Sequence, residues 1–116
     1  MKKIFSLTVL ILIFTFHLID CSNIISGKLK SDIREKAYNW LDNKNQSSII
    51  DWKNASVEEV EFNKNYTINT KTDSVNIQNI KAYKVTFDTT DKELLGPIVV
   101  YLNKDNIGVL GIDYRE

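Results

Sequence analysis

From Ala82 to Tyr114 the chain reads AYKVTFDTTDKELLGPIVVYLNKDNIGVLGIDY, the densest apolar stretch outside its N-terminus. Tyr83, Val85 and Phe87 alternate with Lys84, Thr86 and Asp88. Successive strand side chains point to opposite faces, so this run predicts a half-buried strand. Ile98 to Leu102 is apolar at every position, and Ile107 to Ile112 nearly so. Asn103-Lys104-Asp105-Asn106 lies between them, and Asn and Asp favour turns, which predicts a hairpin loop. Placing Leu102 opposite Ile107 puts Val100 opposite Val109 and Ile98 opposite Gly111. One face then holds Ile98, Val100, Leu102, Ile107 and Val109, and the other Val99, Tyr101, Leu110 and Ile112. Both faces are apolar, and one helix covers only one of them. Pro97 belongs at a strand start, and Gly108 and Gly111 mark a bulge or a close approach by another group.

Upstream, Leu29, Ile33, Ala37 and Leu41 recur every fourth residue with Trp40 on the same side, which predicts a helix from Lys28 to about Asn45. Ser26 or Ser31 caps its start. Gln46 to Ala55 reads as a connection carrying Ile49, Ile50 and Trp52. Val57 to Phe62 is the first strand, with Val60 and Phe62 on one face, and Tyr66 to Ile68 continues it. Lys71-Thr72-Asp73-Ser74 is a turn, and Val75 and Ile77 lead into the next strand. That turn brings Phe62 near Tyr83 and Val60 near Val85. The expected fold is α+β: one N-terminal helix packed on a four-stranded antiparallel meander sheet. The second face, with Val99, Tyr101, Leu110 and Ile112, is then either covered by the Ile49, Ile50 and Trp52 segment or left for a partner. Together with Trp52, these four residues are the candidate interaction surface, and a homodimer is the simplest occupant.

Met1-Lys2-Lys3 followed by the apolar run Ile4 to Ile19 predicts an export signal or an uncleaved membrane anchor. Leu18-Ile19-Asp20-Cys21 resembles the lipobox of bacterial lipoproteins, departing from it at Asp20, where that pattern has Gly, Ala or Ser. The resemblance implies lipidation at Cys21; an uncleaved anchor and a released protein are the alternatives. Residues 1–20 are thus the signal or anchor, 21–27 a tether and 28–116 a single domain.

Charge and composition narrow the chemistry. Without residues 1–20, which hold Lys2, Lys3 and Asp20, 13 basic and 14 acidic residues remain, so no basic footprint for nucleic acid exists. The single histidine, His17, falls in the export segment, and Cys21 is the single cysteine. A Ser-His-Asp or Cys-His arrangement and a zinc site of nitrogen and sulfur ligands are therefore excluded from the domain. No Gly-rich phosphate loop is present. Asp88, Asp91 and Glu93 form the best acidic cluster, but their spacing matches no calcium loop. No cofactor and no metal site is expected. Asn45, Asn54 and Asn65 each begin an Asn-x-Ser/Thr triplet, a pattern expected by chance in a chain this rich in Asn.

The pieces SVEEVEF, KAYKVTFDT, GPIVVYLN and IGVLGIDYR, in that order after an export signal and a helix, resemble the small PepSY-like and cystatin-like domains of secreted and lipid-anchored proteins of Gram-positive bacteria. The resemblance spans about Lys28 to Arg115, and the hairpin GPIVVYLNKDNIGVLG is its most specific piece. It implies a non-enzymatic binding or inhibitory module at the cell envelope, and Lys2, Lys3, the apolar run and Cys21 place it on the outer face of the cytoplasmic membrane, with secretion as the alternative. An immunity-type protein against an exported toxin is the alternative function, and a small enzyme acting on wall sugars is the third.

Overall fold

A computed structural model describes residues 25–113. Residues 1–24, which include the expected export segment and Cys21, and residues 114–116 lie outside them. The described chain is α+β, with one long helix and an antiparallel sheet of seven strands rather than four.

Helix α1, Gly27–Trp40, starts where the Ser26 side chain accepts a hydrogen bond from the Leu29 N–H. It ends sooner than its apolar spacing predicts. Leu41 turns extended, and Asp42 caps a second helix, α2, Asn43–Ser48, through the Asn45 N–H. Ile33, Ala37 and Leu41 are buried against the sheet, with Leu29, Tyr38 and Trp40 packed around them.

The strands are β1 (Ile49–Ile50), β2 (Ser56–Phe62), β3 (Tyr66–Asn69), β4 (Ser74–Ile77), β5 (Ile80–Thr89), β6 (Ile98–Asn103) and β7 (Val109–Ile112). The sheet order is β1-β5-β6-β7-β3-β4, and β2 also pairs with β5. β1 and β2 lie end to end along one edge of β5. Ile50 is opposite Asp88 and Ser56 opposite Thr86, so residues 51–55 bulge out where β5 has only Phe87. Asp51 takes the left-handed conformation at φ 49° and opens a 3-10 turn, Trp52–Asn54. That bulge throws Trp52 towards the helix, where it stacks on Tyr38 at 4.9 Å between ring centroids. Arg34 Nε fastens the same segment by donating to the Ala55 carbonyl oxygen at 2.7 Å.

β2 and β3 form one arm of a long hairpin and β4 and β5 the other. The proximal ladder runs from Ser56↔Thr86 to Phe62↔Ile80, the distal one from Tyr66↔Ile77 to Asn69↔Ser74. Between the ladders lie residues 63–65 on one arm and only 78–79 on the other. This mismatch bends the hairpin, with Asn79 left-handed at φ 58° and its N–H on the Phe62 carbonyl oxygen at 2.6 Å. The distal half folds back over the face of the sheet opposite the helix.

Two expected registers are overturned. Val60 pairs with Ala82 and Phe62 with Ile80, not with Val85 and Tyr83. The slip is odd, so Val60 and Phe62 join the face away from the helix, while Val57 opposite Val85 serves the helix side. The cause is the bent corner, whose unequal arms a single turn centred on Lys71–Ser74 does not anticipate. In the second case Leu102 pairs with Val109 rather than Ile107, and Tyr101 with Gly111. Leu110 is the extra residue of a β-bulge, which returns Ile112 to the helix face, opposite Val100.

Strand β6 is therefore sandwiched, while β5 is buried chiefly on the helix side. Val85, Phe87, Ile98, Val100 and Leu102 lie under α1, while Val99 and Tyr101 lie under the distal hairpin with Ile68 and Ile77. Gly111 sits where β3 crosses the bulge. A β-carbon there would lie 2.6 Å from the Asn69 carbonyl oxygen and 3.0 Å from Ile68 Cδ1, so a side chain has no room.

Ala37→Asp is expected to unfold the domain, since an uncompensated buried charge costs about 3–5 kcal/mol; a thermal melt like the wild type's would show the helix face to be wrongly placed. Gly111→Ala is expected to cost about 1–3 kcal/mol by forcing β3 away from β7. Urea melts measure the loss, and backbone shifts confined to β3, β4 and β7 locate it; an undisturbed β3–β7 contact would refute the close approach.

Candidate functional site

The residues expected to form one open apolar surface are not brought together. Val99 is 8% exposed and Tyr101 3%. Their cover comes from the chain itself, and it is the β3–β4 half-hairpin rather than the Ile49, Ile50 and Trp52 segment. Leu110 packs at the margin of that cluster, whereas Ile112 and Trp52 pack on the helix side. Cys21, the lipidation candidate, lies outside the described residues. Among the described residues, no group of three or more His, Cys, Asp or Glu side chains is arranged to hold a metal ion, so Asp88, Asp91 and Glu93 do not converge.

What stands exposed is the loop from Thr90 to Pro97. The Thr90 N–H donates to the Ser48 carbonyl oxygen at 2.9 Å, and Thr89 Oγ1 donates to the Gly96 carbonyl oxygen at 3.1 Å. Inside the loop is a one-turn helix, α3 (Lys92–Leu95), whose Leu94 and Leu95 N–H groups both reach the Asp91 carbonyl oxygen at 3.0 Å. Gly96, left-handed at φ 79°, ends the turn and lets the chain re-enter the sheet at Pro97. This closed loop presents Leu94 at 85% exposure and Leu95 at 39%. Ile50, on the adjoining edge strand, is 46% exposed.

A cleft lies on each side of the loop. One, of about 410 Å³, is bordered by Ile50, Asp51, Asn54, Asp88 and Pro97. The other, of about 510 Å³, lies between α2, the loop, β3 and the end of β7, bordered by Asp42, Lys44, Asn69, Asp91, Leu95 and Asp113. An apolar tip between two clefts of mixed lining, with charged side chains at their borders, has the make-up of a contact surface: side chains to desolvate at the centre and polar groups around them.

Asp113 links the second cleft to the interior. Tyr66 Oη donates to its Oδ1 at 2.5 Å and Tyr101 Oη to its Oδ2 at 2.9 Å. The two phenol oxygens are 3.5 Å apart, and both protons are already engaged by the carboxylate. Phe62 completes the cluster, stacked on Tyr66 at 5.1 Å and edge-on to Tyr101 at 5.2 Å. Burial is the main reason both phenols resist ionisation. For Tyr66 the bond to Asp113 adds to it, and for Tyr101 the contacts with Tyr66 and then Asp113. All the polar groups here are used in holding three chain segments together. Sequence reading named Tyr101 for its apolar face and missed Tyr66 and Asp113, which are 47 residues apart and carry no local signal of pairing.

Because the folded phenols ionise above the ordinary tyrosine value of about 10, their contribution to stability is intact below pH 10 or so and is lost as the pH rises beyond it. Denaturant melts across that range are expected to show stability falling, with part of the slope removed in Tyr101→Phe. At neutral pH the same variant is expected to lose about 1–2 kcal/mol, as Asp113 forfeits a charge-assisted bond. Identical slopes in variant and wild type would show that Tyr101 does not carry the effect.

No helix among the described residues is long and apolar enough to cross a membrane. No family model, no curated protein and no solved structure matches this chain.

Proposed function

We propose that the chain is a non-enzymatic binding module of the bacterial cell envelope. Its N-terminal segment holds it on the outer face of the cytoplasmic membrane, and the Thr90–Pro97 loop presents it to a protein partner. The observation that carries this reading is Leu94. A large apolar side chain held in water on a hydrogen-bonded loop contributes nothing to the fold, whereas burying it and Leu95 in an interface is worth about 1.5–3 kcal/mol each before the costs of association. The loop is already closed, so little ordering entropy opposes binding. A non-enzymatic role fits the residue inventory, because outside the export segment the chain has no histidine and one cysteine. Placement at the membrane rests on Lys2, Lys3, the apolar run and Cys21. A resemblance to PepSY-like domains remains part of the proposal for the family.

The test compares Leu94→Asp and Leu95→Asp with the wild type. Both are expected to melt like the wild type and to lose at least tenfold in capture of a membrane-associated protein or in self-association measured by mass in solution. Retained capture by both variants would overturn the loop as the contact. Fatty-acid labelling of the wild type and of Cys21→Ser tests the anchor separately; label is expected in the first and not in the second, and equal labelling would remove Cys21 from the proposal.

A further inference from the structure

We propose that the distal half of the long hairpin, β3–β4, is a flap that opens as a unit about the corner at 63–65 and 78–79, and that it forms the movable wall of the cleft containing Asp113. Its attachment to the rest of the sheet is narrow. Among the described residues, β3 meets β7 at one residue pair, Asn69↔Ile112, whereas β2–β5 and β5–β6 pair along seven and six. Across the corner a single backbone hydrogen bond is made, from the Asn79 N–H to Phe62. Both ladders stop there, so bending at the corner breaks no strand pairing within either half.

Besides the β3–β7 pair and the packing of the Tyr66 ring on Phe62 and Tyr101, three contacts hold the flap down, each of a kind that breaks and re-forms. Tyr66 reaches Asp113 beyond the end of β7. At the hairpin's tip Lys71 lies over the Trp40 ring, 5.2 Å from its centroid, at the C-terminal end of α1. Beneath the flap Ile68 and Ile77 are buried on Val99 and Tyr101. Opening removes Asn69 from the cleft wall and frees one oxygen of Asp113 towards Lys44, Asp42 and Asp91, which border the same space. A cleft whose wall swings has an open and a closed form, and any molecule that prefers one of them shifts the balance. The inference does not rest on the binding role of the Leu94 loop, although Asp91 and Leu95 of that loop border the same cleft.

Native-state hydrogen exchange on the full chain tests it. The hydrogen-bonded amides of β3 and β4 are expected to share one exchange rate, at least tenfold faster than that of β5 and β6 once intrinsic rates are removed. Tyr66→Phe and, at the other end of the flap, the exposed Lys71→Ala are each expected to speed β3–β4 exchange severalfold while leaving β5–β6 unchanged. β3–β4 amides as well protected as those of β5–β6 in the wild type would overturn the proposal. So would variants that speed all four strands by one common factor, since the hairpin would then open only by global unfolding.

Discussion

Strand β6 is dry on both sides, and most of the architecture answers that constraint. Ile98 to Leu102 has no polar position, so either face left in water would expose large apolar side chains. Strands of this kind are usually covered by helices on both faces. This chain has one long helix, α1, and it covers Val85, Phe87, Ile98, Val100 and Leu102. The second cover is made from strand. The β2–β5 hairpin is extended past its partners, bent, and laid back over Val99 and Tyr101. The bend needs arms of unequal length at 63–65 and 78–79, and the crossing at β7 needs a residue without a side chain, Gly111. Neither feature would be required if the second face were polar.

The same constraint explains how far the sequence could be read. Alternation at Tyr83, Val85 and Phe87 was legible because its period is local. The continuous run at Ile98–Leu102 correctly announced two apolar faces, and the helix stripe at Ile33, Ala37 and Leu41 was equally plain. Register was not legible. Which face Val60 or Ile112 serves depends on whether the number of intervening residues is odd or even, and a bulge at Leu110 or one missing residue at Asn79 inverts the answer without leaving a mark in the hydrophobic pattern. The turn at Lys71–Ser74 was read as a turn; what it joins is the distal pair β3–β4, and the corner beyond it was missed. The Leu94–Leu95 tip carries no mark of exposure in the sequence, and only the bonds from both N–H groups to the Asp91 carbonyl oxygen show the turn that holds it outside the sheet.

Backbone strain falls where strands change register. Asp51, Asn79 and Ile107 are the non-glycine residues with positive φ among the described residues. Asp and Asn adopt this conformation readily, but Ile107 is β-branched, and a left-handed backbone costs such a residue about 1–2 kcal/mol. Glycine would suit the position, yet the glycine comes one place later, at 108. The Ile107 N–H closes the loop on the Asn103 carbonyl oxygen at 2.8 Å, and the side chain packs against the helix-side core. A glycine at 107 would relieve the backbone and surrender that packing, two effects of similar size and opposite sign. The isoleucine therefore reports that the cover over the end of the helix-side core matters as much to this small domain as an unstrained turn.

Apolar covering explains why the half-hairpin lies down, though not why it lies down in one place. Ile68 and Ile77 would gain nearly as much from the face if shifted by a few ångströms, because burial has no direction. Hydrogen bonds do. Tyr66 and Tyr101 approach the two oxygens of Asp113 from different strands, and a displaced hairpin would break the half-buried Tyr66's bond to the carboxylate, a bond to a charged group being worth about 1.5–3 kcal/mol. The Asp113 N–H is itself tied to the Val99 carbonyl oxygen at 3.0 Å, so the carboxylate is a fixed reference point on the sheet. The small polar cluster thus selects one docking position out of many that burial alone would accept. That selection is also what makes the cleft beside Asp113 a defined space, since its wall at Asn69 stands only where Tyr66 has found its partner.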